Sequence, residues 1–290
     1  MRNFIVQKLK KYDIAYYCIL LGLSLILGGL ISVILMLPIV LIFQEPFLNS
    51  PLFTLTTLFS TALSALLIII FATRKKAATL RDLGLKKENF IKNYLIGLLV
   101  GFITISLSLL ITYVLGGAKY LGVVIDKPIL LLFFFLGFLI QGFEEELLCR
   151  GFMMNGLSKT RSILFAVIFN SLFFAALHLG NDGLGILPLF NLFLAGLSFS
   201  MMAIYFDDIW VASGAHSMWN FAQGNFYGFL VSGTDMGPSV FRFELTGSNF
   251  ISGGAFGLEG GIGVLIVETL TIVIFYLLYK KKQQKQKQES

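Results

Sequence analysis

The sequence predicts an all-α fold, a polytopic membrane helix bundle of about eight transmembrane helices with cytoplasmic N- and C-termini. Composition is the first observation, because 57% of the 290 residues are hydrophobic and only 13% are charged. A soluble domain is nearer half apolar and a quarter charged. The second observation is a series of apolar runs of the length that crosses a bilayer, and the third is an uneven distribution of Lys and Arg between them.

The first apolar run, residues 14–43, follows the basic start MRNFIVQKLKKYD and so resembles a secretory signal. It is about 30 residues long, whereas the apolar region of a signal peptide has roughly 7–15 residues. No small-residue cleavage site closes it. We therefore expect a retained first helix.

The connections between the runs differ in charge. The predicted spans are 14–43, 52–72, 93–115, 129–157, 163–184, 189–205, 210–230 and 261–279. Connections on one side of the membrane, with the two ends of the chain, hold 19 of the 22 Lys and Arg residues, and the other side holds three. The positive-inside rule makes the basic side cytoplasmic.

No long polar tract interrupts this pattern, so residues 1–290 are predicted to form a single membrane domain. The net charge of +6 could suggest a nucleic-acid partner, but it is concentrated at one membrane face. We therefore expect membrane lipids as partners and no nucleic acid. The oligomeric state stays open.

Residues 141–152, QGFEEELLCRGF, place four ionisable groups in an apolar run. Each charge in the middle of a spanning helix costs on the order of 2.5–3.5 kcal/mol, so these groups need partners or a wet cavity. Glu146 and Arg150 have the four-residue spacing of an ion pair. Glu145 lies about 100° around the helix and can face a cavity, while Glu144 has no clear task. Alternatively, this is a helix end at the lipid headgroups.

The only two histidines, His178 and His216, also lie in apolar segments, and Asn220 follows His216 by one helical turn. A lone histidine there could be a packing residue. Together with Glu145, however, these residues suit hydrolysis: a buried carboxylate serves as general base, and imidazole and amide groups donate to an oxyanion. No Ser or Cys has the spacing of a nucleophile paired with a base.

Helix rise tests whether these groups can meet. At 1.5 Å per residue, Glu145 and His178 lie within one turn of the same depth. His216 lies only about six residues into its helix, which predicts a tilted or broken helix around Gly214, or a site nearer the cytoplasmic face.

Three segments carry a family resemblance: EELLCR from Glu145, FAALH ending at His178, and HSMWN from His216 to Asn220. In this order they resemble the E-E-x-x-x-R, F-x-x-x-H and H-x-x-x-N motifs of the CAAX-protease and bacteriocin-processing family, also called CPBP or Abi. The similarity covers about residues 130–225, the expected catalytic core. The first helices show nothing diagnostic.

The resemblance implies an intramembrane endopeptidase in which Glu145 activates water and His178 assists. His216 and Asn220 would form the oxyanion site, with Glu146 and Arg150 supporting. The pattern has two glutamates, so the extra Glu144 would become the base if the register shifted by one residue.

Metal dependence is a separate question. Glu145, His178 and His216 are a possible zinc ligand set, although no H-E-x-x-H motif is present. The resemblance implies a glutamate-dependent mechanism without metal. No cofactor is favoured, and zinc remains possible.

The predicted substrate is a membrane-associated peptide or a lipidated protein. The Lys, Ile and Phe content predicts a bacterial cell membrane, which favours processing of, or self-immunity to, bacteriocin- or pheromone-type peptides over CAAX-type processing. A non-catalytic scaffold or immunity protein is the main alternative, and a proton-coupled transporter is another. The Gly-rich segment 246–260 is expected to be a lid, a re-entrant loop or an ordinary extracytoplasmic loop.

Overall fold

The computed structural model describes residues 2–74, 78–125 and 127–289, with side chains from Asp13 onward. The main helices are α1 (Arg2–Leu48), α2 (Pro51–Thr73), α3 (Phe90–Val114), α4 (Pro128–Glu146), α5 (Ile163–Leu177), α6 (Ile186–Phe206), α7 (Trp210–Phe221) and α8 (Ile262–Glu289). Each of them overlaps one predicted span. A polytopic, all-α bundle is therefore confirmed.

The number of membrane crossings is a finer question than the number of helices. Within the described residues, six helices are long and apolar enough to cross a membrane. The other two are shorter, since α5 has 15 residues and α7 has 12. The count of eight spans and the cytoplasmic termini stay predictions.

Two helices depart from regular α-helical geometry for local reasons. In α1, Gln44 has φ 46° and ψ −137°, which bends the chain two residues before Pro46. The end of α4 continues as a π-helix over Leu147–Met154 and one further turn over Asn155–Leu157. Short π-helical segments are frequent at functional sites, and this one carries Arg150.

The structure adds two strands that the sequence analysis did not predict. Strand β1 (Ala118–Val123) pairs antiparallel with β2 (Phe241–Leu245), which joins the α3–α4 connection to the α7–α8 connection. The sequence FRFEL of β2 alternates aromatic and charged residues, the period-two pattern of a strand. Apolar runs do not reveal this strand, because charged residues interrupt it at every second position.

Helix α7 packs between α3 and α4 and also contacts α6. Its approach to α3 depends on glycines: a Cβ on Gly97 would lie 2.3 Å from the Val211 carbonyl oxygen, and one on Gly101 would lie 2.2 Å from that of Ala215. Small residues allow such close contact between membrane helices. Gly214 lies inside an uninterrupted α7, so the break suggested there is wrong.

Candidate active site

A cavity of about 770 Å³ lies between the α1–α2 pair and the helices that carry the three motifs. The four residues predicted to be catalytic, Glu145, His178, His216 and Asn220, all contribute to its lining. Three helices therefore bring these side chains to one space, namely α4, the C-terminal end of α5, and α7, and α6 completes the wall.

Glu145 faces this cavity, and its side chain is 22% exposed. One carboxylate oxygen accepts a hydrogen bond from the amide of Gln141, one helical turn earlier. The other oxygen lies 3.8 Å from His216 Nε2. Gln141 Oε1 in turn accepts a bond of 3.0 Å from Asn220 Nδ2, so Gln141 links the proposed base to the proposed oxyanion donor.

Gln141 is a site residue that the sequence analysis missed. No role was predicted for it within the segment QGFEEELLCRGF. Its four-residue spacing from Glu145 nevertheless indicates that the two side chains can meet on one face of a helix. A polar amide inside an apolar helix needs a hydrogen-bond partner for the same reason that a charge does.

Glu146 has the opposite environment, because it is fully buried and lies outside the cavity lining. Its Oε1 atom accepts bonds of 2.8 Å from Arg150 and 2.9 Å from His216 Nδ1. Arg150 also donates a bond of 2.9 Å to the Gly196 carbonyl and lies over the Phe174 ring at 4.7 Å. The result is a buried, charge-assisted network behind the cavity wall, in which Glu146 Oε2 and Arg150 Nε have no partner within the described residues.

This network fixes the orientation of the His216 ring. Because the Glu146 carboxylate can only accept a hydrogen bond, His216 Nδ1 carries the hydrogen and donates it. His216 Nε2 is then directed toward Glu145. The ring also stacks on Phe199 with a centroid distance of 4.9 Å and an interplanar angle of 11°. When protonated, His216 donates from Nε2 into the cavity.

Glu144, the alternative base, also lines the cavity and is 3% exposed. However, Gln141 and His216 contact Glu145 and not Glu144. The contacts therefore favour the register in which Glu145 and Glu146 are the two glutamates of the E-E-x-x-x-R motif that ends at Arg150.

His178 is positioned differently from the expectation. The sequence predicted a helix over 163–184, but α5 ends at Leu177 and His178 caps its C-terminus. The following LGNDGLG is rich in turn-forming residues, which ends the helix early. His178 Nδ1 lies 2.9 Å from the Phe174 carbonyl oxygen, which only accepts, so Nε2 is left as an acceptor.

Glu145, His178 and His216 are the possible zinc ligands that the sequence offers. Across residues 2–74, 78–125 and 127–289, no group of three His, Cys, Asp or Glu side chains has an arrangement that could hold a metal ion. Glu145, His178 and His216 thus share a cavity without forming such a group.

Comparison with known proteins gives one match. Residues 127–222 match the family model described as Type II CAAX prenyl endopeptidase Rce1-like. No curated protein and no solved structure matches the chain. The matched segment contains all three motifs and excludes α1 to α3, β2 and α8. The resemblance carried by the motifs is therefore confirmed for this segment: residues 127–222 are similar to the Rce1-like family of CAAX-type endopeptidases.

Proposed function

We propose that this chain is an intramembrane endopeptidase in which Glu145 is the general base. The observation that carries this proposal is the contrast between two neighbouring glutamates. Glu145 is partly exposed to a cavity beside an imidazole and an amide, whereas Glu146 is buried in an ion pair. The match of residues 127–222 to a protease family model supports the same reaction class.

In the proposed reaction, Glu145 takes a proton from a water molecule, and the water oxygen attacks the scissile carbonyl carbon. Asn220 Nδ2 and His216 Nε2 donate hydrogen bonds to the resulting oxyanion. The intermediate then collapses, the C–N bond breaks, and Glu145 returns its proton to the leaving amine.

The supporting roles follow from the contacts. Glu146 and Arg150 hold the His216 ring, and Glu146 stabilises its protonated form. Gln141 holds Glu145 and Asn220 in register. His178, with its Nε2 free to accept, assists by orienting the attacking water. No cofactor takes part in this proposal, so cleavage should survive treatment with a chelator, whereas a zinc mechanism would lose it.

The substrate proposed is a membrane-associated peptide or a lipidated protein. Much of the cavity wall is apolar and comes from the lipid-facing helices α1 and α2, including Leu25, Val33 and Phe53. The name of the matched family refers to prenylated CAAX substrates. In a bacterial membrane, processing of secreted bacteriocin- or pheromone-type peptides, or self-immunity to them, fits the same chemistry.

The membrane arrangement proposed is a single domain of eight spans with both termini cytoplasmic, in a bacterial cell membrane. This arrangement is supported by the basic residues, because 19 of the 22 lie in the chain ends and connections on one predicted side of the membrane. The shorter helices α5 and α7 would then cross only together with their connecting segments.

The proposal is tested by comparing membrane and secreted peptides from cells that carry wild type, Glu145→Gln or Glu244→Gln. Glu244 is an exposed carboxylate on β2 and serves as the matched control. We expect at least one peptide to change in mass for Glu145→Gln only. Identical peptide profiles with an intact phenotype would indicate a non-catalytic scaffold or immunity protein and overturn the proposal.

A further inference from the structure

Two further carboxyl groups line the cavity and take no part in the proposed reaction. Glu259, in the Gly-rich segment, and Glu268, on α8, both line it. Both lie outside the matched segment 127–222. Together with Glu144 and Glu145, they give the lining four carboxyl groups, and none of the described lining residues is Lys or Arg.

Glu259 is held in place by a tightly packed backbone. Asn191 Nδ2 donates bonds of 2.8 Å and 3.0 Å to the carbonyl oxygens of Glu259 and Gly261. Gly257 has φ +100°, and a Cβ there would lie 2.2 Å from the Leu230 carbonyl oxygen. The backbone therefore fixes the side chain of Glu259, which is 8% exposed, toward the cavity.

The two carboxyl groups are satisfied to different degrees. Glu259 accepts a hydrogen bond from the backbone N–H of Ser232, which favours its ionised form. Glu268 is 3% exposed, and its Oε2 atom has no hydrogen-bond partner within the described part of the chain. A buried polar atom without a partner is costly, so this oxygen is available to a ligand that enters the cavity.

No Lys or Arg among the described lining residues balances the charge of Glu259 and Glu268. Burial raises the pKa of Glu259, and the hydrogen bond from Ser232 opposes that rise. Arg150 is already paired with Glu146 behind the wall. A cationic group brought by a ligand would therefore offset the cost of holding carboxylates in a low-dielectric site.

We propose that Glu259 and Glu268 form a subsite for a cationic nitrogen of the substrate, either a Lys or Arg side chain or a free α-amine, near the bond that is cleaved. The inference rests on the proposed function, since it names the substrate class of the same cavity. Specificity would then come from the segment beyond the matched family region, and the cleavage chemistry from within it.

Binding is measured in the Glu145→Gln background, so that no probe is consumed. The full chain is reconstituted in phosphatidylcholine vesicles, whose neutral surface does not attract cationic probes. The probes are N-acylated, fluorescent, leucine-rich peptides with a single Lys placed at each position in turn, or with norleucine at that position. We expect one Lys probe to bind about tenfold more tightly than its norleucine counterpart.

Two variants test the assignment. Adding Glu259→Gln or Glu268→Gln to this background should bring the Lys-to-norleucine affinity ratio close to one. Adding Glu244→Gln should keep the ratio, because Glu244 is exposed on β2. A probe with norleucine and a free N-terminal amine distinguishes the two sources of the cation: tight binding by that probe assigns the subsite to an α-amine.

A ratio near one in the starting background, or a ratio that survives in both variants, would overturn the subsite. If one variant does not fold, the other decides. Failure of the proposed function is distinguishable, because it would leave the cellular peptide profiles unchanged while the binding ratio is read independently of cleavage.

Discussion

Two polar regions lie side by side in this membrane bundle and differ in whether they are closed. Behind the cavity wall, Glu146 Oε1 bonds both Arg150 and His216 Nδ1 with little access to solvent, while Glu146 Oε2 and Arg150 Nε have no partner within the described residues. On the cavity side, Glu145, Gln141 and Asn220 form a chain of bonds that ends in open space. The closed region supplies rigidity and charge, and the open region is left free to react.

The largest effect should come from the open region. Glu145→Gln removes the proton acceptor, and we expect the cleavage rate to fall by about 10³-fold, within the usual range for general acid–base groups. Stability should change by less than about 1 kcal/mol, because the amide has the same shape in a partly exposed site. The measurement is cleavage of the identified peptide together with thermal unfolding in detergent. A parallel loss of folded protein would contradict this division.

The closed region should respond in the opposite way. Arg150→Met leaves the Glu146 carboxylate buried without its partner, and we expect a loss of stability of about 3–5 kcal/mol. The measurement is thermal unfolding and the yield of monodisperse protein.

The matched control for that change is Arg81→Met. Arg81 pairs with Glu88 at 2.8 Å, but both side chains are more than 60% exposed, so no measurable change is expected. Equal sensitivity at the two arginines would show that the network behind the cavity does not stabilise the bundle.

The smallest effect should come from the residue that links the base to the oxyanion donor. Gln141→Leu leaves Glu145 and Asn220 without their shared partner, and we expect kcat to fall about tenfold with little change in KM. Gln141→Glu should fail as well, because a carboxylate cannot donate to Glu145. A normal kcat in either variant would assign Gln141 to packing alone.

The sequence predicted the main lines of this comparison. The 100° rotation between successive helical residues separated Glu145 from Glu146, and the four-residue spacing predicted the pair with Arg150, which the structure contains. Apolar runs located the helices because the bilayer imposes their length.

Three other features of the structure could not be predicted from the sequence, each for a physical reason. Helix α5 ends before His178 because turn-forming residues follow. The hydropathy of the segment alone does not indicate where such a turn begins. The β1–β2 pair joins segments more than 100 residues apart, and non-local pairing has no signature in a single window. The carboxyl groups of Glu259 and Glu268 reach the cavity through tertiary packing, which only the fold reveals.

The glycine contacts between α3 and α7 extend the mutationally sensitive area well beyond the motifs. No residue of α3 belongs to the cavity lining in the described part of the chain, yet Gly97 and Gly101 leave no room for even a methyl group beside the helix that carries His216 and Asn220. In saturation mutagenesis, substitutions along the α3 face that contacts α7 should therefore reduce activity, although α3 carries none of the three motifs.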